Sequence, residues 1–417
     1  MSYSRSALQV LALAVLSATL TAQAQTMTGP TVPAALVAAA KKGGQLNTIA
    51  LPPDWANYGE ILARFQALYG IKITNASPDI SSAEELQALR SLKGQTRAPD
   101  TVDVGPAFAI QGAAEKLFSA YKPRTWASVP SSAKDPNGMW VGNYYGVVSF
   151  GVNKNIVKNV PKSWADLKKP EYKGQVALNG SPVSAQAAFS AVWAAALANG
   201  GSLDNIQPGI DYFVELKKLG NYIPVDATPA TVQTGQTPIT LDWDYLNLGY
   251  TKQFAGKVDW TTVVPSDGVY GSHYAVAISS SAPNPDAAKL WVEFLLSDEG
   301  QMLFLKGFAH PIRFNDMVSR NVIPKAILDT LPDAAVYKNV KFATTEQGVV
   351  VEPLASAKPA LRAAASSRPP GQVRQIVTAI VLVLACAASV ALLVVLRAKR
   401  REPPAPVTHG TTSVTVR

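Results

Sequence analysis

Ile376 to Leu396 reads IVTAIVLVLACAASVALLVVL, a run of 21 residues without a charge. About 20 apolar residues span the hydrocarbon core of a bilayer, so the run is expected to be a transmembrane helix. Arg397, Lys399, Arg400 and Arg401 follow it at once. Basic flanks stay cytoplasmic, which points the tail 397–417 inward and everything before the run outward. The opposite end of the chain agrees independently. Arg5, the apolar stretch Ala7 to Leu20 and the small-x-small triplet Ala22-Gln23-Ala24 have the order of a secretory signal peptide over residues 1–24.

These ends also explain the charge. The chain has 38 basic and 29 acidic residues, but seven of the basic and one of the acidic residues lie in the leader or after Gly371. The remaining 31 against 28 leave no clustered basic face, so no nucleic-acid partner is expected. The single cysteine, Cys386, falls inside the apolar run. Neither a lipid anchor behind the leader nor an intrachain disulfide is then available, and the exported part must be held by its apolar core.

That exported part alternates strands and helices. Val32 to Lys42 reads as a helix closed by Gly43-Gly44, Leu46 to Leu51 as a strand, and Tyr58 to Tyr69 as a helix stopped by Gly70. Ile71 to Ile73 is a strand, and Ser82 with Glu85 forms a capping box for a helix through Leu92. Thr101 to Val104 is a strand and Ile110 to Phe118 a helix. Further on, Val176 to Leu178 and Ile239 to Leu241 read as strands, and Ala185 to Ala198, Ile210 to Leu219 and Ala287 to Leu296 as helices. Such alternation predicts an α/β fold with mostly parallel sheets. Ala355 to Pro370 is rich in Ala, Ser and Pro and reads as a tether, and the tail after Arg401 as disordered.

In open α/β sheets ligands collect outside the carboxyl ends of strands. Asp54-Trp55-Ala56-Asn57-Tyr58 follows the first strand; it serves either as a helix N-terminus or as a cleft wall with Asp54, Trp55 and Tyr58. Ser81 and Ser82 either cap a helix or meet a ligand at its free N–H groups. Gly105 to Phe108, after the third strand, is a turn or a close backbone approach. Asp242-Trp243-Asp244-Tyr245 sets two carboxylates around an indole, a combination suited to an organic cation through charge pairing and cation–π attraction. No catalytic or metal-ligand motif appears, so neither an enzyme nor a cofactor is expected.

Several motifs carry a resemblance. Gly146 to Lys154 (GVVSFGVNK), Pro161 to Leu167 (PKSWADL) and Pro170 to Gly174 (PEYKG) come first. Val264 to Gly268 (VPSDG), Asn284 to Lys289 (NPDAAK) and Phe294 to Gln301 (FLLSDEGQ) follow in order. Together they resemble the type II periplasmic solute-binding proteins of ABC importers, within the iron, polyamine and phosphonate group. The resemblance implies a two-lobed fold with crossing hinge strands and ligand bound between the lobes. It places residues 25–42 as an N-terminal helix segment, 43–145 and 262–312 in lobe 1, 146–261 and 313–354 in lobe 2, and 355–375 as linker before the helix 376–396. Tyr144, Tyr145 and Gly271-Ser272-His273 then lie on the crossing strands, with Tyr145 and His273 as cleft-floor candidates. The implied partners are a small-molecule ligand, an importer permease and, through the C-terminal helix, the membrane. Iron-binding relatives carry paired tyrosines after a G-x-x-P-x-x-L segment; here Gly235 to Leu241 matches, Tyr245 supplies one tyrosine and Leu246 stands in place of the other. The expected ligand is accordingly an organic cation such as a polyamine, with ferric iron or an aminophosphonate as alternatives. A membrane-tethered sensor uncoupled from transport is the alternative role.

Overall fold

A computed structural model describes residues 32–329, 337, 339–344 and 347. The leader, the linker 355–375, the apolar run Ile376–Leu396 and the tail lie outside the described residues. Among the described residues no helix is long and apolar enough to cross a membrane.

The strands are β1 (Gln45–Ile49), β2 (Lys72–Ala76), β3 (Thr101–Val104), β4 (Phe118–Ser119), β5 (Val141–Asn153), β6 (Val176–Leu178), β7 (Ile239–Trp243), β8 (Trp260–Val263), β9 (Tyr270–Ser279), β10 (His310–Pro311) and β11 (Lys341–Phe342). The helices are α1 (Ala34–Gly43), α2 (Tyr58–Tyr69), α3 (Ser82–Ser91), α4 (Pro106–Ala114), α5 (Gln186–Ala198) and α6 (Gln207–Lys218). They continue with α7 (Pro229–Gln233), α8 (Asp244–Gln253), α9 (Pro285–Leu295), α10 (Asp298–Lys306), α11 (Phe314–Ser319) and α12 (Lys325–Leu328).

β5 organises the molecule. Its first half, Val141 to Val147, pairs with β9, and its second half, Val148 to Asn153, pairs with β7 and β8. The strand therefore leaves one lobe and enters the other at Val147-Val148. β9 pairs with β3 and β4 in the first lobe, and β6 pairs with β7 in the second. The expectation of mostly parallel sheets is corrected. Parallel pairing holds for β1–β2, β6–β7 and β9–β11, but β5 runs antiparallel to β7, β8, β9 and β10, and β9 antiparallel to β3 and β4. The two long crossing strands run in opposite directions between the lobes and the other strands extend the sheet from them, except β1 and β2, which form a separate two-stranded parallel sheet.

Local chemistry sets most element ends. Gly70 closes α2 in the left-handed region at φ 68°, where a side chain would be strained. α5 is buried along nearly its whole length, because its alanines let neighbouring backbone approach closely. The helix expected over Ile110 to Phe118 instead starts at Pro106 and stops at Ala114. Proline suits the first helical position, and Phe118 leaves the helix to pair with Ser279 and pack on Gly112. The capping box of α3 is Ser81 with Glu84, one residue earlier than expected. Residues 313–329, assigned to the second lobe above, pack through Phe314, Met317, Ile323 and Ile327 against Met302 and Leu305 of α10.

Candidate functional site

A cleft of about 1430 Å³ opens between the two halves of the molecule. Its walls come from the segments after β1, before α3, at the end of β3, around the N-terminus of α5, and from residues 222–231. The halves touch on one side. The Ala83 N–H donates to the Ser184 carbonyl at 3.4 Å, and Gly105 packs against the amide of Gln186.

Four of the expected residues line this cleft: Asp54, Trp55, Ser81 and Ser82. Asp54 is exposed at the rim, and Trp55 is half-buried. The Ser81 N–H and hydroxyl both donate to Glu84 at 2.7 Å. Ser82 is buried, and its hydroxyl accepts from the Gly105 N–H at 3.3 Å.

The other seven do not line it. Asp242, Trp243, Asp244 and Tyr245 are fully buried. Asp242 accepts from the Trp243 N–H at 2.7 Å and from Asn179 at 2.8 Å, and burial pushes its carboxyl up to about 7. Asp244 begins α8 and accepts from the N–H groups of Val147 and Tyr245, both at 3.0 Å. Its second oxygen meets His310 Nε2 at 2.8 Å. Asp244 thus ties α8 to the crossing strand rather than facing a solute. Tyr58 sits in the core and helps hold Asp103 from behind. Tyr145 stacks on His310 with ring centroids 4.7 Å apart, away from the cleft, and burial raises its phenol to about 12. His273 stacks on Trp140, and burial lowers its imidazole to about 4. For the four residues at the end of β7 the physical reason is shared: β5 and β6 pair with the two edges of β7 while α5 and α8 pack against it, so these acids and aromatics are enclosed in the core.

Trp243 and Tyr245 still shape the site indirectly. Tyr245 stacks on Trp243, and both back an aromatic wall whose cleft-facing members are Trp55 and Tyr274. Trp55 meets Tyr245 and Tyr274 edge-on at 5.9 and 5.6 Å. Tyr144 stacks on Tyr274 at 5.5 Å, and the Trp55 indole donates to the Tyr144 hydroxyl at 2.7 Å.

The residue that sequence reasoning missed is Asp103. It is buried at the end of β3 and lines the cleft. Its carboxylate accepts from the Tyr144 hydroxyl at 2.8 Å and from Asn143 at 3.1 Å. Burial pushes it up to about 6, with Tyr144, Asn143 and Tyr58 opposing. Glu85 lies beside it, accepts from the Asp103 N–H at 2.9 Å, and is pushed well above the usual carboxylate range by burial. The signal was present: Asp103 is the one charge in the strand Thr-Val-Asp-Val, at the edge where ligands collect. Asn179, Gln186 and Asp226 were missed as well, since only the tertiary fold brings the second lobe's loops to this face.

The electrostatics are one-sided. Asp54, Asp79, Glu84, Glu85, Asp103 and Asp226 line the cleft, while no Lys, Arg or His is among its described lining residues. The N-terminus of α3 points here, but Glu84 and the Ser184 carbonyl already occupy donors of its first turn. The arrangement suits a cation with apolar stretches that can lie on Trp55 and Tyr274.

Comparison with known proteins places this geometry in context. Residues 100–339 match the family described as bacterial extracellular solute-binding protein. An uncharacterised protein of Haemophilus influenzae is 31% identical over 206 residues, covering 47% of this chain and 57% of that protein. A putative 2-aminoethylphosphonate-binding periplasmic protein of Salmonella typhimurium is 25% identical over 206 residues, covering 48% and 58%. The chain thus spans a little over half the length of these relatives. The periplasmic binding protein AfuA of Actinobacillus pleuropneumoniae, solved with fructose-6-phosphate, superposes with a TM-score of 0.60 at 20% identity, covering 76% of this chain and 97% of that one. That likeness shows the two-lobed fold.

Proposed function

Because the chain belongs to the bacterial extracellular solute-binding proteins, we propose that it is the substrate-binding receptor of an ABC importer and that its solute is a small organic cation, such as a polyamine. One observation carries the ligand class: six acidic side chains and no basic side chain among the described residues lining the cleft. A sugar phosphate would bring its dianion against that wall with no basic partner, and like charges repel. Ferric iron is disfavoured because Tyr245, the one match to the iron binders' tyrosine pair, is buried under Trp55 rather than open to the cleft. An aminophosphonate is the second reading, supported by the Salmonella relative and by the ammonium such a zwitterion carries; its phosphonate meets the same acidic wall, which places it behind a simple amine. The receptor is proposed to act outside the cytoplasmic membrane, held there by Ile376–Leu396.

Thermal unfolding of the purified full-length protein tests this reading. Putrescine, spermidine, 2-aminoethylphosphonate, fructose 6-phosphate and ferric citrate would be added in turn. A tight ligand at 100 times its Kd contributes about 2.7 kcal/mol. Stabilisation by the amines is the expected result; stabilisation by the sugar phosphate or by iron alone overturns the ligand class.

A further inference from the structure

We propose that the cleft selects ammonium groups that carry N–H donors, primary or secondary amines, over quaternary ammonium ions, and that Asp103 and Gln186 make this selection. The inference rests on the organic-cation reading above and sharpens it.

Asp103 is 6% exposed, and its orientation is fixed from the core side by Tyr144 and Asn143, with Tyr58 also bonded to it. A carboxylate offers about four acceptor positions. Three donors therefore leave acceptor capacity on an ionised group beside the cleft. Gln186 provides the independent sign of a ligand. It is 3% exposed, lines the cleft, and its Oε1 has no hydrogen-bond partner. Its amide nitrogen is committed to Ser190 at 3.1 Å and Ser272 at 3.3 Å, which leaves the oxygen on the side of Gly105, where the two halves meet. The bare α-carbon of Gly105 makes room for that oxygen, two residues along the chain from Asp103.

The Asp103 carboxylate and the Gln186 carbonyl oxygen are both acceptors, and the donors of the Gln186 amide are already taken by Ser190 and Ser272. Buried acceptors left unmatched carry a penalty, so an occupant supplying N–H donors gains what a methylated cation of equal charge forfeits. Cation–π attraction to Trp55 and charge attraction to the rim would serve both kinds of cation alike. The difference between them is therefore assigned to Asp103 and Gln186. Trp55 is coupled to the same point, since its indole donates to the hydroxyl of Tyr144, which in turn donates to Asp103.

The test is isothermal titration calorimetry of the full-length protein with putrescine and with its permethylated bis-quaternary analogue, which keeps the charge and chain length but has no N–H. Putrescine is expected to bind at least 30-fold more tightly. Asp103→Asn should lower putrescine affinity at least 30-fold and the analogue's, which loses only the charge attraction, by a clearly smaller factor; Gln186→Leu, which changes no charge, should lower putrescine affinity about tenfold and the analogue's less than threefold. Equal affinities for the two dications overturn the selection while leaving the organic-cation reading intact. Binding of neither, with binding of fructose 6-phosphate, overturns the reading beneath it. Should a variant fail to fold, the comparison of the two dications on the wild-type protein decides alone.

Discussion

Gly105→Ala is the sharpest probe of how the two halves meet. Gly105 has φ −65° and ψ 161°, an extended conformation that alanine adopts freely, so the substitution brings no backbone strain. Its effect must come from the new methyl group. An added Cβ would stand 2.2 Å from Gln186 Oε1, 2.4 Å from its Cγ and 2.5 Å from its Cδ. All three lie far inside van der Waals contact. Two escapes exist. Gln186 can turn away, giving up its bonds to Ser190 and Ser272 at about 0.5–1.5 kcal/mol each. Alternatively the halves part, since Gly105 follows β3 on one side of the cleft and Gln186 begins α5 on the other. The first escape bounds the penalty on the approach seen here at about 1–3 kcal/mol. That range corresponds to about 5- to 150-fold in affinity for a solute that needs both walls. Hinge opening relieves the clash without disturbing either core. The expected outcome is therefore weaker binding of the best amine by calorimetry, with folding stability in guanidinium changed by less than about 0.5 kcal/mol. Small-angle scattering of the ligand-free protein should show a larger radius of gyration. In a Gln186→Ala background the same substitution should cost less than twofold, because the clashing partner is gone. Unchanged affinity together with a loss of 2 kcal/mol or more of folding stability, on the order of a core defect, would refute the cross-cleft reasoning.

Two further outcomes concern stability. His273 is buried, and its imidazole is held down to about 4. The unfolded chain takes up this proton near pH 6.5 and the folded one near 4, so stability is lost as pH falls through that window, by about 3 kcal/mol. His273→Phe should therefore gain about that much relative to wild type between pH 7 and pH 4 in denaturant titrations. The raised carboxyls of Asp103 and Asp242 act in the opposite direction but are common to both proteins and cancel; a pH-independent difference would show that His273 does not stay neutral. Arg313 is buried and donates to the Leu296 carbonyl at 2.6 Å, Ser128 at 3.0 Å and Asp316 at 2.7 Å, with Asp298 at 3.1 Å. Arg313→Met strands a buried acid and should cost about 3–5 kcal/mol in denaturant unfolding; a loss below about 1 kcal/mol would show that Arg320 alone satisfies Asp298.

The sequence by itself determined the elements whose signals are local. α2, β3 and β6 have the expected bounds, because helical spacing, short apolar runs and stopping glycines act within a few residues. The motifs from Gly146 to Gln301 likewise sufficed to identify the family, since order and spacing survive in the chain whatever the packing. Sheet direction did not follow from alternation, because pairing partners far apart in sequence, β5 with β9 above all, set it. The candidate site divided along the same line. Asp54, Trp55, Ser81 and Ser82 were legible from their place after strands or before helices. Asp242, Trp243, Asp244 and Tyr245 had the right chemistry, yet β5 pairs with the strand that leads into them and α5 and α8 pack against it, which turns that chemistry into core. Asp103 left a local signal, the lone charge of its strand, whereas Gln186 meets the cleft only because two lobes, folded from distant parts of the chain, close on each other. Which groups of the second lobe come to stand opposite those of the first is a property of that closure, and no local pattern encodes it.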